Sequence, residues 1–192
     1  MNIKKLVRGC LPACAVMLAL ASVSCGDMAR EGQASSYLII TSLQAASGAE
    51  PDELGGVLNS DVTPIFNDVG EVEFLLAMKD PTVTGPTSAN FITIDRYRVS
   101  YFRTDGHNIE GVDVPYAFDS AFTGTVSASA AFGFTIVRHQ AKGEAPLRAL
   151  GQNFLIVSTI AEVTFYGRDQ TGRAVSVTGR ININFANFAD PE

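Results

Sequence analysis

The sequence predicts an all-β protein, an antiparallel β-sandwich of about seven or eight strands, preceded by a segment outside the fold. Three observations carry this reading. After residue 35, apolar and polar side chains alternate at period two through most of the chain, and helical periodicity is nearly absent. The alternating runs are separated by Gly, Pro, Asn and Asp, the residues that turns require. The one long uncharged apolar run, residues 11–23, stands apart at the N-terminus.

That N-terminal stretch has three zones. "MNIKKLVRG" carries Lys4, Lys5 and Arg8 and no acid. "LPACAVMLALASV" is nearly all apolar but too short to span a membrane, which takes about 20 apolar residues. Ala21, Ser22 and Ser24 then supply the small side chains a signal peptidase needs. Residues 1–24 are therefore expected to be an export signal. Small residues directly before Cys25 resemble the lipobox of bacterial lipoproteins. The resemblance implies cleavage before Cys25, a diacylglyceryl group on its thiol and acylation of the new amino terminus. "LPAC" matches the local pattern better at Cys14, but cutting there would leave "AVMLALASV" on the mature chain. The alternative is an ordinary signal peptide, with Cys25 a free thiol. Two or more acyl chains hold a protein firmly at a bilayer where one holds it weakly. Residues 25–35, "CGDMAREGQAS", are too poor in large apolar side chains to bury a core and read as a lipidated Cys and flexible tether.

The domain proper is expected over residues 36–190. "SSYLIITSL" (35–43) opens it, and "EVEFLLAMK" (71–79) buries Val72, Phe74, Leu76 and Met78. Residues 90–103 form a long strand whose apolar side switches near Asp95, which a β-bulge would explain. Residues 121–137 make two strands with a turn near Ser129 to Ala131. "APLRAL" (145–150) is at most a short helix. "NFLIVSTIAEVTFYG" puts Leu155, Val157, Ala161, Val163 and Phe165 on one face. "RAVSVTGRININF" puts Val175, Val177, Gly179, Ile181, Ile183 and Phe185 on one face, and Gly172 is available for a positive-φ turn between the two strands. This closing hairpin resembles those of bacterial immunoglobulin-like and fibronectin-III-like domains, which implies a two-sheet sandwich. The chain has no Trp, and no cysteine follows Cys25, so the Cys pair and Trp of antibody-type domains are lacking. A lipocalin-like barrel is the alternative fold. As a whole the chain resembles uncharacterised exported bacterial lipoproteins.

Charge and residue types narrow the function. The chain has 14 Lys+Arg against 20 Asp+Glu, a formal net charge of -6, and losing the three cations of residues 1–24 takes it to -9. Such a domain repels phosphate backbones, so no nucleic-acid partner is expected. His107 and His139 are the only histidines, and no G-x-S-x-G elbow, HExxH or phosphate-binding loop occurs. The chain is not expected to be an enzyme, and no catalytic residues are assigned. His139 reads as a polar residue where a strand gives way to a loop.

The connection "RTDGHNIEGVDVPYAFD" (103–119) gathers oxygen ligands, of which Asp105, Glu110, Asp113 and Asp119 are the weak candidates for a cation such as Ca²⁺. The simpler reading is an Asp105-Gly106 turn with acids that keep a loop solvated. No cofactor is otherwise expected. His107 and Tyr116 are a further possible binding surface on that loop. Residues 50–80 hold eight acids against Lys79 alone and read as loops around a short edge strand, the charges keeping it soluble. Arg96 and Arg98 share a strand face and are expected to pair with Glu162 on a neighbouring strand. With Arg103 they read as an ordinary solvated sheet face, a carboxylate-binding patch being the alternative.

The function these features point to is a lipid-anchored envelope protein acting as a non-enzymatic binding or assembly module. Its partners would be the membrane, through the anchor, and another envelope protein. Gly26 lacks the aspartate that marks inner-membrane retention in some enterobacteria, so the outer membrane is favoured, facing periplasm or cell surface. Two alternatives remain: an envelope carrier of a small apolar ligand, which needs the barrel, and a hydrolase with an unrecognised carboxylate site.

Overall fold

A computed structural model describes residues 32–62 and 66–188. The expected signal, Cys25 and most of the tether lie outside the described residues. Eight strands follow in the order β1 (Ser36–Ala46), β2 (Val57–Asp61), β3 (Asp68–Met78), β4 (Ile92–Phe102), β5 (Phe118–Val126), β6 (Ser129–Val137), β7 (Val157–Asp169) and β8 (Ala174–Ala186). Two single-turn helices, α1 (His139–Lys142) and α2 (Leu147–Leu150), lie between β6 and β7.

The strands form two sheets, β1-β3-β6 and β2-β8-β7-β4-β5. This is a sandwich and not one closed eight-stranded barrel. Its strand order is of the immunoglobulin type, with β1, β3 and β6 in the places of A, B and E, and β4, β5, β7 and β8 in those of C, C′, F and G. One pair departs from the expected antiparallel pattern: β2 runs parallel to β8, Val57 opposite Asn182 and Asp61 opposite Ala186.

Period two fixes the closing hairpin. Val163 opposes Gly179 and Phe165 opposes Val177, with Ile181, Ile183 and Phe185 buried and Ser176, Thr178 and Arg180 exposed. Gly172 takes φ +83° in the turn, as the sequence requires. Leu155 is a correction: it lies before β7 and is exposed, because the strand begins two residues later than the alternation suggests. The bulge in β4 is where the apolar side switches, between Ile94 and Arg96 in its pairing with both neighbours. The turn between β5 and β6 falls at residues 127–128, earlier than expected, because Ser129, Ala130 and Ala131 pair with β3.

Aromatic rings fill the space between the sheets. Phe165 meets Phe74 edge-on at 5.0 Å and Phe134 at 5.3 Å, and Tyr97 meets Phe134 at 5.3 Å. Two tyrosines of β4 also bind across to the backbone of β6. The Tyr97 hydroxyl donates to Thr135 O at 3.0 Å and accepts from Thr135 N at 3.1 Å. The Tyr101 hydroxyl donates to Ile136 O at 2.6 Å. Edge strand β6 thus has backbone groups satisfied by phenols from the facing sheet, a tie that in antibody domains a disulfide provides.

The strand directions sort the connections into two ends. Residues 32–35, 79–91, 127–128 and 170–173 lie at one end, which holds the turn of the closing hairpin. Residues 47–56, 103–117 and 138–156 lie at the other, and the last two of these are the longest connections between strands.

Candidate functional site

The loop end is built on a buried ion pair. Asp68 opens β3 at 0% exposure, and Lys142 of α1 reaches it with Nζ 2.7 Å from Oδ1 at 3% exposure. Oδ1 also accepts from Gly48 N at 3.0 Å, and Oδ2 accepts from the Ser60 hydroxyl at 2.5 Å. One carboxylate therefore ties together the β1–β2 connection, β2, β3 and α1. Burial, followed by the nearby Asp68 charge, pushes the Tyr101 hydroxyl far above its ordinary pKa, so it stays a neutral donor. Asp61 and Asp68, expected among solvating acids, are both buried. The correction has a physical reason: β2 and β3 extend into the stretch read as loop and carry these acids inward.

Beside this platform a cleft of about 550 Å³ opens between the 103–117 connection and α1, lined by Asn67, Tyr116, Phe118, Arg138, His139 and Glu144 among others. Asn67 Oδ1 accepts the His139 amide at 2.8 Å and lies 2.9 Å from its Nδ1. An oxygen there calls for a proton on Nδ1. Arg138 lies over the Phe118 ring at 3.9 Å and donates to Asp119 O at 2.7 Å. The sequence reading of His139 as a polar residue leaving a strand matches its position, but gave no sign of the cleft.

Three of the four candidate acids of residues 103–119 are spent on separate partners. Asp105 pairs with Arg103 and accepts from His107 N at 3.1 Å. The Arg103 hydrogen bond, then the His107 amide, hold its carboxyl below the ordinary carboxylate range. Asp113 accepts from Ile109 N at 3.0 Å, fixing the tip of the loop. Asp119 lies on β5 and receives Arg98 at 2.6 Å, with Arg96 at 3.9 Å. Glu110 is exposed. Among the described residues no group of three or more His, Cys, Asp or Glu side chains is placed to hold a metal ion. Gly106 and Gly111, at φ +87° and +75°, let the loop fold on itself.

The expected pairing of Arg96 and Arg98 with Glu162 does not form. Glu162 stands directly opposite Arg180 and takes its guanidinium at 2.7 Å, whereas its partner on β4 is Ser100. Direct cross-strand neighbours win over diagonal ones.

The remaining feature of the loop end is apolar exposure. Phe154 is fully exposed, and Leu155 and Ile156 beside it are largely so, as are Ile109, Val112 and Tyr116 of the 103–117 connection. Periodicity hid this, because an apolar triplet ahead of a strand reads as part of the strand. Compared with protein-family models, curated proteins and solved structures, the chain gives no significant match in any of the three. What fold and site define is an all-β sandwich with a platform of long connections at one end. Among the described residues no helix is long and apolar enough to cross a membrane.

Proposed function

We propose that the chain is an exported, lipid-anchored envelope protein whose sandwich presents its loop end to another envelope protein as a non-enzymatic binding or assembly module. One observation carries the reading. The chain comes into the domain at residues 32–36, at the hairpin end, while the two longest connections, 103–117 and 138–156, with their exposed apolar side chains lie at the opposite end. A tether attached through Cys25 therefore leaves the loop end pointing away from the bilayer. Exposed apolar tips flanked by Glu110, Asp113 and Glu144 suit a partner surface that is apolar with basic residues around it. The carrier reading needs a barrel around a cavity, and the aromatic packing between the sheets speaks against it.

The anchor is tested by changing Cys25→Ser and following the protein through cell fractionation. The unchanged chain is expected in detergent extracts of membranes, and the variant in the soluble fraction or uncleaved. A cleaved Ser variant that still sediments with membranes would defeat the lipid anchor.

A further inference from the structure

At the hairpin end, remote from the loop platform, a second cleft of about 520 Å³ lies between the first described residues and the outer face of β4, β7 and β8. Its charge is opposite to that of the protein. Lys79, Arg96 and Arg168 line it against Asp95 alone, on a chain of formal charge -6. The bulge in β4 sets Asp95 and Arg96 side by side on the exposed surface, and Arg96 faces Tyr166 across the ladder.

Each cation is held but unspent. The Arg96 guanidinium lies over the Tyr166 ring, its Cζ 4.1 Å from the ring centroid. Its nearest carboxylate oxygen, on Asp119, is 3.9 Å away, while Asp119 gives its close contact at 2.6 Å to Arg98. Arg168 makes one long contact, to Gly172 O at 3.4 Å. Lys79 Nζ donates to Gly32 O at 2.7 Å, which leaves two of its three donors. The Tyr166 ring holds the Arg96 guanidinium on the cleft wall, and a guanidinium can receive a carboxylate through two parallel hydrogen bonds. Tyr37 and Ser176 add hydroxyl groups to the wall, and the exposed Tyr37 ring offers an apolar face.

We infer that this cleft is a binding site for a carboxylate carried on a hydroxylated ring, that is, for an acidic saccharide. The guanidinium of Arg96 takes the carboxylate, Arg168 and Lys79 supply attraction from the sides, and the tyrosine and serine hydroxyls meet the ring hydroxyls. The volume falls within the range of about 300–1,000 Å³ usual for small-molecule sites. The site is independent of the loop end, so its failure leaves the proposed function standing, and the reverse holds too.

Calorimetric titration of the full chain carrying Cys25→Ser tests it, with trigalacturonate, neutral galactotriose and inorganic phosphate as probes. Trigalacturonate is expected to bind about tenfold more tightly than galactotriose, as one charge-assisted pair would give. Arg96→Gln and Arg168→Gln should each weaken it by about tenfold at an unchanged melting temperature, and Arg96→Lys less than Arg96→Gln. Added salt should weaken binding of trigalacturonate and leave galactotriose unaffected. Equal binding of both sugars, no binding of trigalacturonate, binding of phosphate alone, or full affinity in Arg96→Gln would each overturn the assignment.

Discussion

Two buried aspartates mark the two ends of the sandwich, and they are wired in opposite ways. At the hairpin end, Asp169 Oδ1 accepts from Thr171 N, the Thr171 hydroxyl and Arg173 N, all within four residues of itself. At the loop end, Asp68 accepts from Gly48, Ser60 and Lys142, which lie 20, 8 and 74 residues away. The first carboxylate shapes one turn. The second holds four segments together, two of them in the connections 47–56 and 138–156. A carboxylate with local partners leaves the rest of the fold indifferent to it, while one with distant partners makes the loop platform depend on a single charge.

That difference sets the largest expected effect. Lys142→Ala leaves Asp68 charged and buried with its counter-ion gone, a loss that typically costs about 3–5 kcal/mol. Urea denaturation should show the unfolding free energy falling by that amount, as a lower midpoint at an unchanged slope. A double variant with Asp68→Asn and Lys142→Met removes both charges while Asn can still accept from Gly48 N. It should be less destabilised than Lys142→Ala alone. If Lys142→Ala costs no more than an exposed ion pair, about 1 kcal/mol or less, Asp68 is not the support of the loop end.

The hairpin end has its own non-local constraint, in backbone packing and not in charge. A Cβ on Gly167 would lie 2.4 Å from Thr93 O and 2.9 Å from the Ile94 Cα, both backbone atoms at the β4 bulge. Neither can swing aside. Gly167→Ala is expected to cost about 1–3 kcal/mol, the usual range for overpacking. Gly133→Ala is the control, since a Cβ there comes no closer than 4.0 Å to Gly70 O. Equal melting temperatures for the two variants would show that β4 yields at the bulge.

What the sequence shows of this molecule follows the same division. The hairpin of β7 and β8, its inward face, the Gly172 turn and the Asp95 bulge are all legible, because period two and a positive φ are properties of neighbouring residues. The Asp68–Lys142 pair is not legible. "FNDVGE" and "RHQAKGE" contain nothing that announces each other, and only the sheet brings Asp68 under α1. The Arg98–Asp119 pair went the same way, because the β4–β5 register is set by tertiary pairing, whereas Glu162–Arg180 lies inside the β7–β8 hairpin and was there to be read from its register. Parallel β2 was likewise hidden, since five residues with two buried polar groups carry no alternation to read. The cationic cleft was half visible, in that Arg96 was singled out. Its companions come from elsewhere, Lys79 just after β3 and Arg168 on β7.

The smallest effect tests the local member of the comparison, and it is read as pH dependence. Burial works to raise the Asp169 pKa, but the Thr171 hydroxyl and the amides of Arg173 and Thr171 outweigh it, and the carboxyl ends below its ordinary value. A carboxyl depressed on folding adds stability that is present above its unfolded pKa, about 3.9, and is lost as pH falls through the lower folded value. Asp169→Asn keeps an oxygen acceptor for the turn but has no proton to bind. At neutral pH it should cost about 1 kcal/mol, on the scale of a helix cap or a single charged hydrogen bond. As pH falls below about 4, the unchanged protein should lose that advantage, so the two stability curves converge. Thermal melts of both proteins from neutral to acid pH read the gap directly. A gap that persists undiminished under acid conditions would show that the Asp169 oxygens serve the turn by shape alone, with no contribution from charge.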